Sequence, residues 1–364
     1  MNKRKIGPGA LGLAALMAAA AAPAMAAGTL NVTTYGGAFA AAVAEAYVKP
    51  FQADSGITVQ MIDDADPPAK LKAEVEAKNV SGDVFEVEHS DVLRLCDEGL
   101  VEPIDPAILK PTADGTPAAD DYLPDALTEC GTAIMVWSSV IAYDTSAFPN
   151  GEPKTVADFF DTAKFPGKRG LIKRPKYSLE LALLGDGVPA DQVYETLATP
   201  EGVDRAFKKL DSIKKDVVWW EAGAQAPQLL ADKEVTITLA YNGRIFDAIM
   251  EEGKPFGFIW DGVNLDMDYW VVPKGAPNKD AAMQFIAYAS DPARQPDLSK
   301  YIAYGPPRKS AAENIGMYKD GKTEMAPYLP TTPANSASAL VNDAEFWADH
   351  DGELTERFNA WLAG

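Results

Sequence analysis

From Thr29 onward, stretches with apolar residues at every second position or in unbroken runs alternate with longer stretches where they recur every three or four, the periods of strand and helix. "TLNVTTYGGAF" predicts a strand ending in a Gly-Gly turn, "AAAVAEAYVKPFQADSG" a helix, and "ITVQMID" a second strand. "PPAKLKAEVEAK" continues as helix, "DVFEVEHS" as a strand ending in polar residues, and "DVLRLCDEGLV" as a short helix capped by Asp91. The long apolar, β-branched run "AIMVWSSVIAYDTSAF" then predicts a strand crossing out of this first unit.

The alternation restarts beyond it. "GKRGLIKRP" is followed by helices around Leu179 to Leu184 and at "PEGVDRAFKKLDSIKK", a strand at "VVWWE", a helix at "APQLLADKE" and a strand at "VTITLAYNG". "DMDYWVVPKG" predicts a return crossing, and "KDAAMQFIAYAS" a helix. Strands alternating with helices indicate α/β architecture, and the length exceeds one ordinary core, so two lobes with a cleft between them are expected. Ligands in such folds sit at the carboxyl ends of strands, where Tyr35, Ser90, Trp220, Tyr241, Arg244, Asp266 and Asp268 fall.

The first 26 residues read as a secretory signal: Lys3, Arg4 and Lys5, the apolar "ALGLAALMAAAAA", and the small-residue ending Ala24-Met25-Ala26, with cleavage near Ala26. No cysteine lies nearby to carry a lipid, and no later run reaches the roughly 18 apolar residues that span a membrane, so a periplasmic protein is expected. Without the signal the net charge moves from −20 to about −23, which repels nucleic acid and draws in small cations. In an exported chain Cys96 and Cys130 form either a structural disulfide, which the even count favours, or two buried thiols.

Catalytic signatures are missing: no Gly-x-Ser-x-Gly elbow, no phosphate loop, no dinucleotide fingerprint, and only His89 and His350 for imidazole chemistry. Neither an enzyme, a metal site nor a cofactor is expected. The positive signal is acids beside aromatics. In "VNLDMDYWVVPKG" the strand period puts Asp266, Asp268 and Trp270 on one face and Leu265, Met267 and Tyr269 on the other. A carboxylate withdrawn from water needs a partner, and a protonated amine held against an aromatic face supplies one. Arg244, after the strand "VTITLAY", either clamps a carboxylate or neutralises an acid such as Asp266 or Asp247.

"TYGGAF", "SGDVFEVEHSD", "LAYNGR", "LDMDYWVVPKGAPNKDAAMQFIAYASDP" and "IAYGPPRKSA" together resemble the periplasmic substrate-binding proteins of ABC importers, in the branch that binds spermidine and putrescine. The resemblance implies the two-lobed type II fold, with residues 27–142 plus 268–310 in one lobe and 143–267 plus 311–364 in the other. It implies that Asp268 holds an amine, that Tyr35, Tyr241 and Tyr304 wall it, that Ser90 faces the ligand, and that Glu180 holds a far amine. Tyr177 stands where the branch has a second acid, Asp266 where it has an aromatic, and Arg244 has no counterpart. The expectation is therefore a monomeric binder of a small cationic amine such as putrescine or spermidine, delivering it to an inner-membrane permease without binding nucleic acid. The alternative is a zwitterion such as γ-aminobutyrate or an opine-like compound, clamped by Arg244, with Fe(III) as a more distant third reading.

Overall fold

In the computed structural model the described residues are Met1 and residues 29–364; the signal peptide expected over residues 1–26 lies outside them apart from Met1. Nine strands form one continuous sheet in the order β2-β1-β3-β8-β4-β7-β5-β6, with β9 added to β8. They are β1 (Leu30–Thr34), β2 (Val59–Asp63), β3 (Val84–Glu88), β4 (Thr132–Asp144), β5 (Arg169–Ile172), β6 (Val217–Trp220), β7 (Ile237–Tyr241), β8 (Phe256–Val271) and β9 (Leu340–Val341). Helices flank the sheet, as the alternating pattern predicts.

The two halves are each parallel and are joined by antiparallel strands. β1 pairs with β2 and β3, and β5 with β6 and β7, all in parallel. Between them run β4 and β8, 13 and 16 residues long, antiparallel to each other. The Asp268 end of β8 pairs with β3, while Ser139–Tyr143 of β4 pair with β7. The crossings are thus the middles of two long strands, with register shifts between Ala133 and Met135 and between Ser139 and Ile141. Every residue of β4 is buried, which accounts for its unbroken apolar pattern.

Local chemistry fixes the elements near the cleft. Two residues beyond β1 comes Gly36, whose φ of 72° suits glycine and whose Cβ, if it had one, would lie 2.8 Å from the Asp63 carboxyl. The predicted helix after it is present as one helical run with a π turn at Ala44–Val48. The next helix, Pro67–Glu76, is capped by Asp66 with proline in its first turn. The short helix after β3 begins at His89 rather than after Asp91, so Asp91 sits in its first turn and bonds Arg94 instead of capping. Beyond β7 the chain enters the helix Asn242–Glu252 directly, placing Arg244 in a first helical turn.

Cys96 and Cys130 are bonded, with Cα atoms 5.8 Å apart, tying the helix His89–Asp97 to the approach to β4. The C-terminal helix Ala344–Ala363 packs on that same helix, and its far end places Phe358 and Trp361 against Phe207 and Trp219 of the second half. No helix among the described residues is long and apolar enough to cross a membrane.

Candidate functional site

Where the two halves meet at the strand ends lies a cavity of about 360 Å³. Its acids come from one face of two neighbouring strands. Glu86 and Glu88 are two apart on β3, and Asp268 of β8 stands directly opposite Glu88. All are almost fully buried, so each needs an account.

Glu88 has cationic partners. It accepts hydrogen bonds from Arg174 Nη2 at 2.7 Å, Lys176 Nζ at 2.9 Å and the Tyr177 hydroxyl at 3.1 Å. Burial alone would raise its pKa, but the neighbouring Arg174 and Lys176 overcome this and hold it at about 2. Glu86 and Asp268 have only neutral donors within reach: the Tyr35 amide at 2.8 Å from Glu86, and Trp137 Nε1 at 2.9 Å from Asp268. Burial pushes Glu86 up to about 7, against hydrogen bonds from Asp268 and Tyr35. Burial, reinforced by the charge of Glu86, pushes Asp268 well above the usual carboxylate range.

Arg244 enters from the opposite wall. Its guanidinium is buried, Nη2 donates to the Tyr35 carbonyl at 3.4 Å, and Nε has no hydrogen-bond partner. Among the described residues it makes no ion pair. Glycines make room for it: a Cβ on Gly37 would lie 2.5 Å from Nη1, and one on Gly223 2.7 Å from Nε. Tyr35, Tyr241 and Tyr304 also line the cavity, with Trp137 edge-on to Tyr241 at 4.9 Å. Glu221, paired with exposed Lys173 at 2.7 Å, and Asn359 of the C-terminal helix complete the rim.

Five of the residues expected from the sequence therefore meet in one cavity: Tyr35, Tyr241, Arg244, Asp268 and Tyr304. Four do not line it. Asp266 shares the predicted face, but Lys176 Nζ at 2.9 Å and the Tyr177 hydroxyl at 2.7 Å occupy it. Ser90 bonds Lys176 Nζ at 3.2 Å behind Glu88. Trp220 lies buried behind Tyr241, edge-on at 5.6 Å. Glu180 is buried elsewhere, accepting from Trp347 Nε1 at 2.8 Å. Arg244 pairs with neither Asp266 nor Asp247.

Glu86, Glu88, Arg174 and Trp137 line the cavity although only the fold reveals it. The signal for the two glutamates is their i, i+2 spacing in "VFEVE", a strand in which all five residues are buried. His89 stacks on Tyr269 at 4.9 Å, away from the cavity, and burial lowers its pKa. Among the described residues no three or more His, Cys, Asp or Glu side chains group to hold a metal. A larger groove of about 1570 Å³ is lined by acids and apolar residues without Lys or Arg, so of these two the smaller cavity presents both signs of charge.

Residues 46–343 match the family of bacterial extracellular solute-binding proteins. The chain is 48% identical over 335 residues to the γ-aminobutyric acid-binding protein of Pseudomonas aeruginosa, covering 92% of this chain and 91% of that one. It superposes on the Atu4243-GABA receptor with a TM-score of 0.77 at 35% identity, covering 92% of this chain and 98% of the other. Similarity to the spermidine/putrescine-binding periplasmic protein of Salmonella typhimurium is 24% over 187 residues, 47% of this chain and 51% of that one. With its two-halved α/β sheet, its enclosed charged cavity and a family match over most of its length, the chain belongs to the bacterial extracellular solute-binding proteins.

Proposed function

We propose that the protein captures a small zwitterion with separated charges, of the γ-aminobutyrate class, and delivers it to the membrane permease of an ABC importer. The observation that carries this is the pairing, in one buried cavity, of a guanidinium without an internal acid (Arg244) and two acids without an internal cation (Glu86 and Asp268). Arg244 clamps the ligand carboxylate, while Glu86 and Asp268 receive its ammonium group. Tyr35, Tyr241 and Tyr304 wall the apolar stem between them, and enclosure strengthens both contacts by excluding water. This is the alternative reading of the sequence, preferred over a polyamine.

Where the charges stand decides between them. Four buried carboxylates (Glu86, Glu88, Asp266 and Asp268) face three cations (Arg174, Lys176 and Arg244), and Glu88 and Asp266 already have theirs. A zwitterion adds no net charge. A diamine adds two positive charges and leaves Arg244 buried beside one of them, at a cost of several kcal/mol. The relatives named for γ-aminobutyrate cover nearly the whole chain, whereas the polyamine relative matches under half of it. The two lobes are taken as residues 27–142 plus 268–310 and 143–267 plus 311–364, the protein being exported by residues 1–26.

Titration calorimetry of the purified protein with γ-aminobutyrate, putrescine and spermidine tests this. Saturable one-to-one binding of γ-aminobutyrate with no heat from the diamines is expected. Tight putrescine binding without γ-aminobutyrate binding would overturn it.

A further inference from the structure

The two acids at the ammonium end differ from the other buried carboxylates of the cleft. Glu88 and Asp266 are each bonded to a Lys or Arg. Glu86 and Asp268 touch only neutral donors, yet their strand register puts Glu86 diagonal to Asp268 on one face, with their carboxyl groups within hydrogen-bonding reach of each other. Two ionised carboxylates at that distance, both nearly sealed from water, repel each other strongly.

We propose that the ligand ammonium is captured by exchange: in the ligand-free cleft Glu86 and Asp268 share one proton, and the ammonium displaces it to solvent. The inference rests on the zwitterion reading above. Before binding, the pair carries one proton and a net charge of −1. Afterwards it carries −2 beside the +1 of the ammonium, and the proton has passed to water, so charge and atoms balance. The shared proton holds the two oxygens together in the empty cleft, and the ammonium, which has more donors, replaces it.

The groups facing the pair permit this. Behind it on β3 and β8 stand Glu88 and Asp266, whose charges are already matched. From the turn after β1 comes the Tyr35 amide, and from β4 the Trp137 indole, neither of which titrates near neutrality. From β7, and from the segment ending at Tyr304, come the phenols of Tyr241 and Tyr304, both raised above their usual range by burial. Arg244 enters from its helix, and Arg174 and Lys176 stand beyond Glu88. Asp91 on the helix after β3 is bonded to Arg94, is raised by burial to about 6, and acts through its charge on Tyr35 of the cavity wall. Burial raises both acids, Glu86 to about 7, in keeping with a proton held between them.

The test is calorimetry of the mature protein with γ-aminobutyrate in buffers of differing ionisation enthalpy, from about pH 5.5 to about pH 7.5, a window in which neither end of the ligand titrates. Release of close to one proton per ligand near pH 7.5, and of more toward pH 5.5 where Glu86 itself takes up a proton, is expected, with affinity rising about tenfold or more per pH unit across the window. Butyrate, which lacks the ammonium, should bind weakly and release none. Glu86→Gln should lessen both proton release and pH dependence, and Glu86→Gln with Asp268→Asn should abolish them. Buffer-independent heats and a flat affinity in the wild-type protein would overturn the exchange while leaving the zwitterion reading intact. Absence of γ-aminobutyrate binding at every pH would overturn that reading and the exchange with it.

Discussion

Lys176 and Asp266 form an ion pair 2.9 Å apart on side chains only 4% and 2% exposed, and the same Nζ reaches Glu88 at 2.9 Å. One ammonium group thus answers two carboxylates from neighbouring regions of the sheet, with the Tyr177 hydroxyl bonded to both. This knot takes Asp266 and Glu88 out of competition for ligand. It leaves Asp268 and Glu86 as the acids open to an incoming cation.

Replacing Lys176 by Met should destabilise the fold markedly. Two buried carboxylates would lose a shared counter-charge, and breaking a buried pair by removing one partner costs about 3–5 kcal/mol. Urea denaturation followed by fluorescence should show that loss. A loss below about 1 kcal/mol would mean that water enters and solvates the acids.

Arg244→Ala should separate the two ends of the ligand. Removing a buried partner of a charged group costs about 2–5 kcal/mol, so affinity for γ-aminobutyrate should fall by about 30-fold or more. Binding of n-butylamine, which offers no carboxylate, should change little. Equal losses for both ligands would show that Arg244 shapes the cavity rather than gripping one end.

Glu180 predicts a pH dependence of stability separate from ligand capture. Its Oε1 accepts from Trp347 and Tyr194, its Oε2 has no partner, and burial pushes its pKa up to about 7. The folded protein therefore holds a proton that the unfolded chain, near the ordinary value of about 4.3, gives up. Between those values the folded state binds more protons, so stability is full below the lower one and falls as pH rises toward 7, by about 4 kcal/mol at most. Denaturation midpoints at several pH values should show the slope, and Glu180→Gln should flatten it while leaving γ-aminobutyrate affinity alone.

Much of this was legible in the chain, and what was not has a physical reason. The strand and helix alternation gives the α/β fold, because parallel units with short connections leave a clear period. Asp268 and Tyr241 stand out as polar or aromatic residues at strand ends, and Tyr304 through the family resemblance. Trp220 has the same local signature but faces inward, since a strand's period tells which residues share a face, not which face meets the cleft, while Glu180, expected from the family resemblance alone, lies on the helix Ser178–Gly185 and is buried against Trp347. Arg174 and Lys176 were missed because they lie in the loop after β5, and their partner Glu88 is nearly 90 residues away in sequence. Arg244's role depends on what lies near it, and only the fold shows Gly37 and Gly223 making its space.

Glu88 has a second consequence, for the rate at which ligand leaves. It belongs to β3 in the first half, while Arg174, Lys176 and Tyr177 follow β5 in the second, so these bonds span the cleft. Opening the halves would expose them to water and break charge-assisted bonds worth about 1.5–3 kcal/mol each net. Glu88→Gln keeps the shape but removes the charge, leaving the half-buried Arg174 without a carboxylate partner and Lys176 with Asp266 alone. The closed form should then open more easily, and ligand dissociation should quicken by about tenfold or more, with association nearly unchanged because a zwitterion without net charge is little steered by any single acid. Stopped-flow measurement of both rates checks this. An unchanged dissociation rate would show that the halves are held by the ligand and the apolar contacts alone.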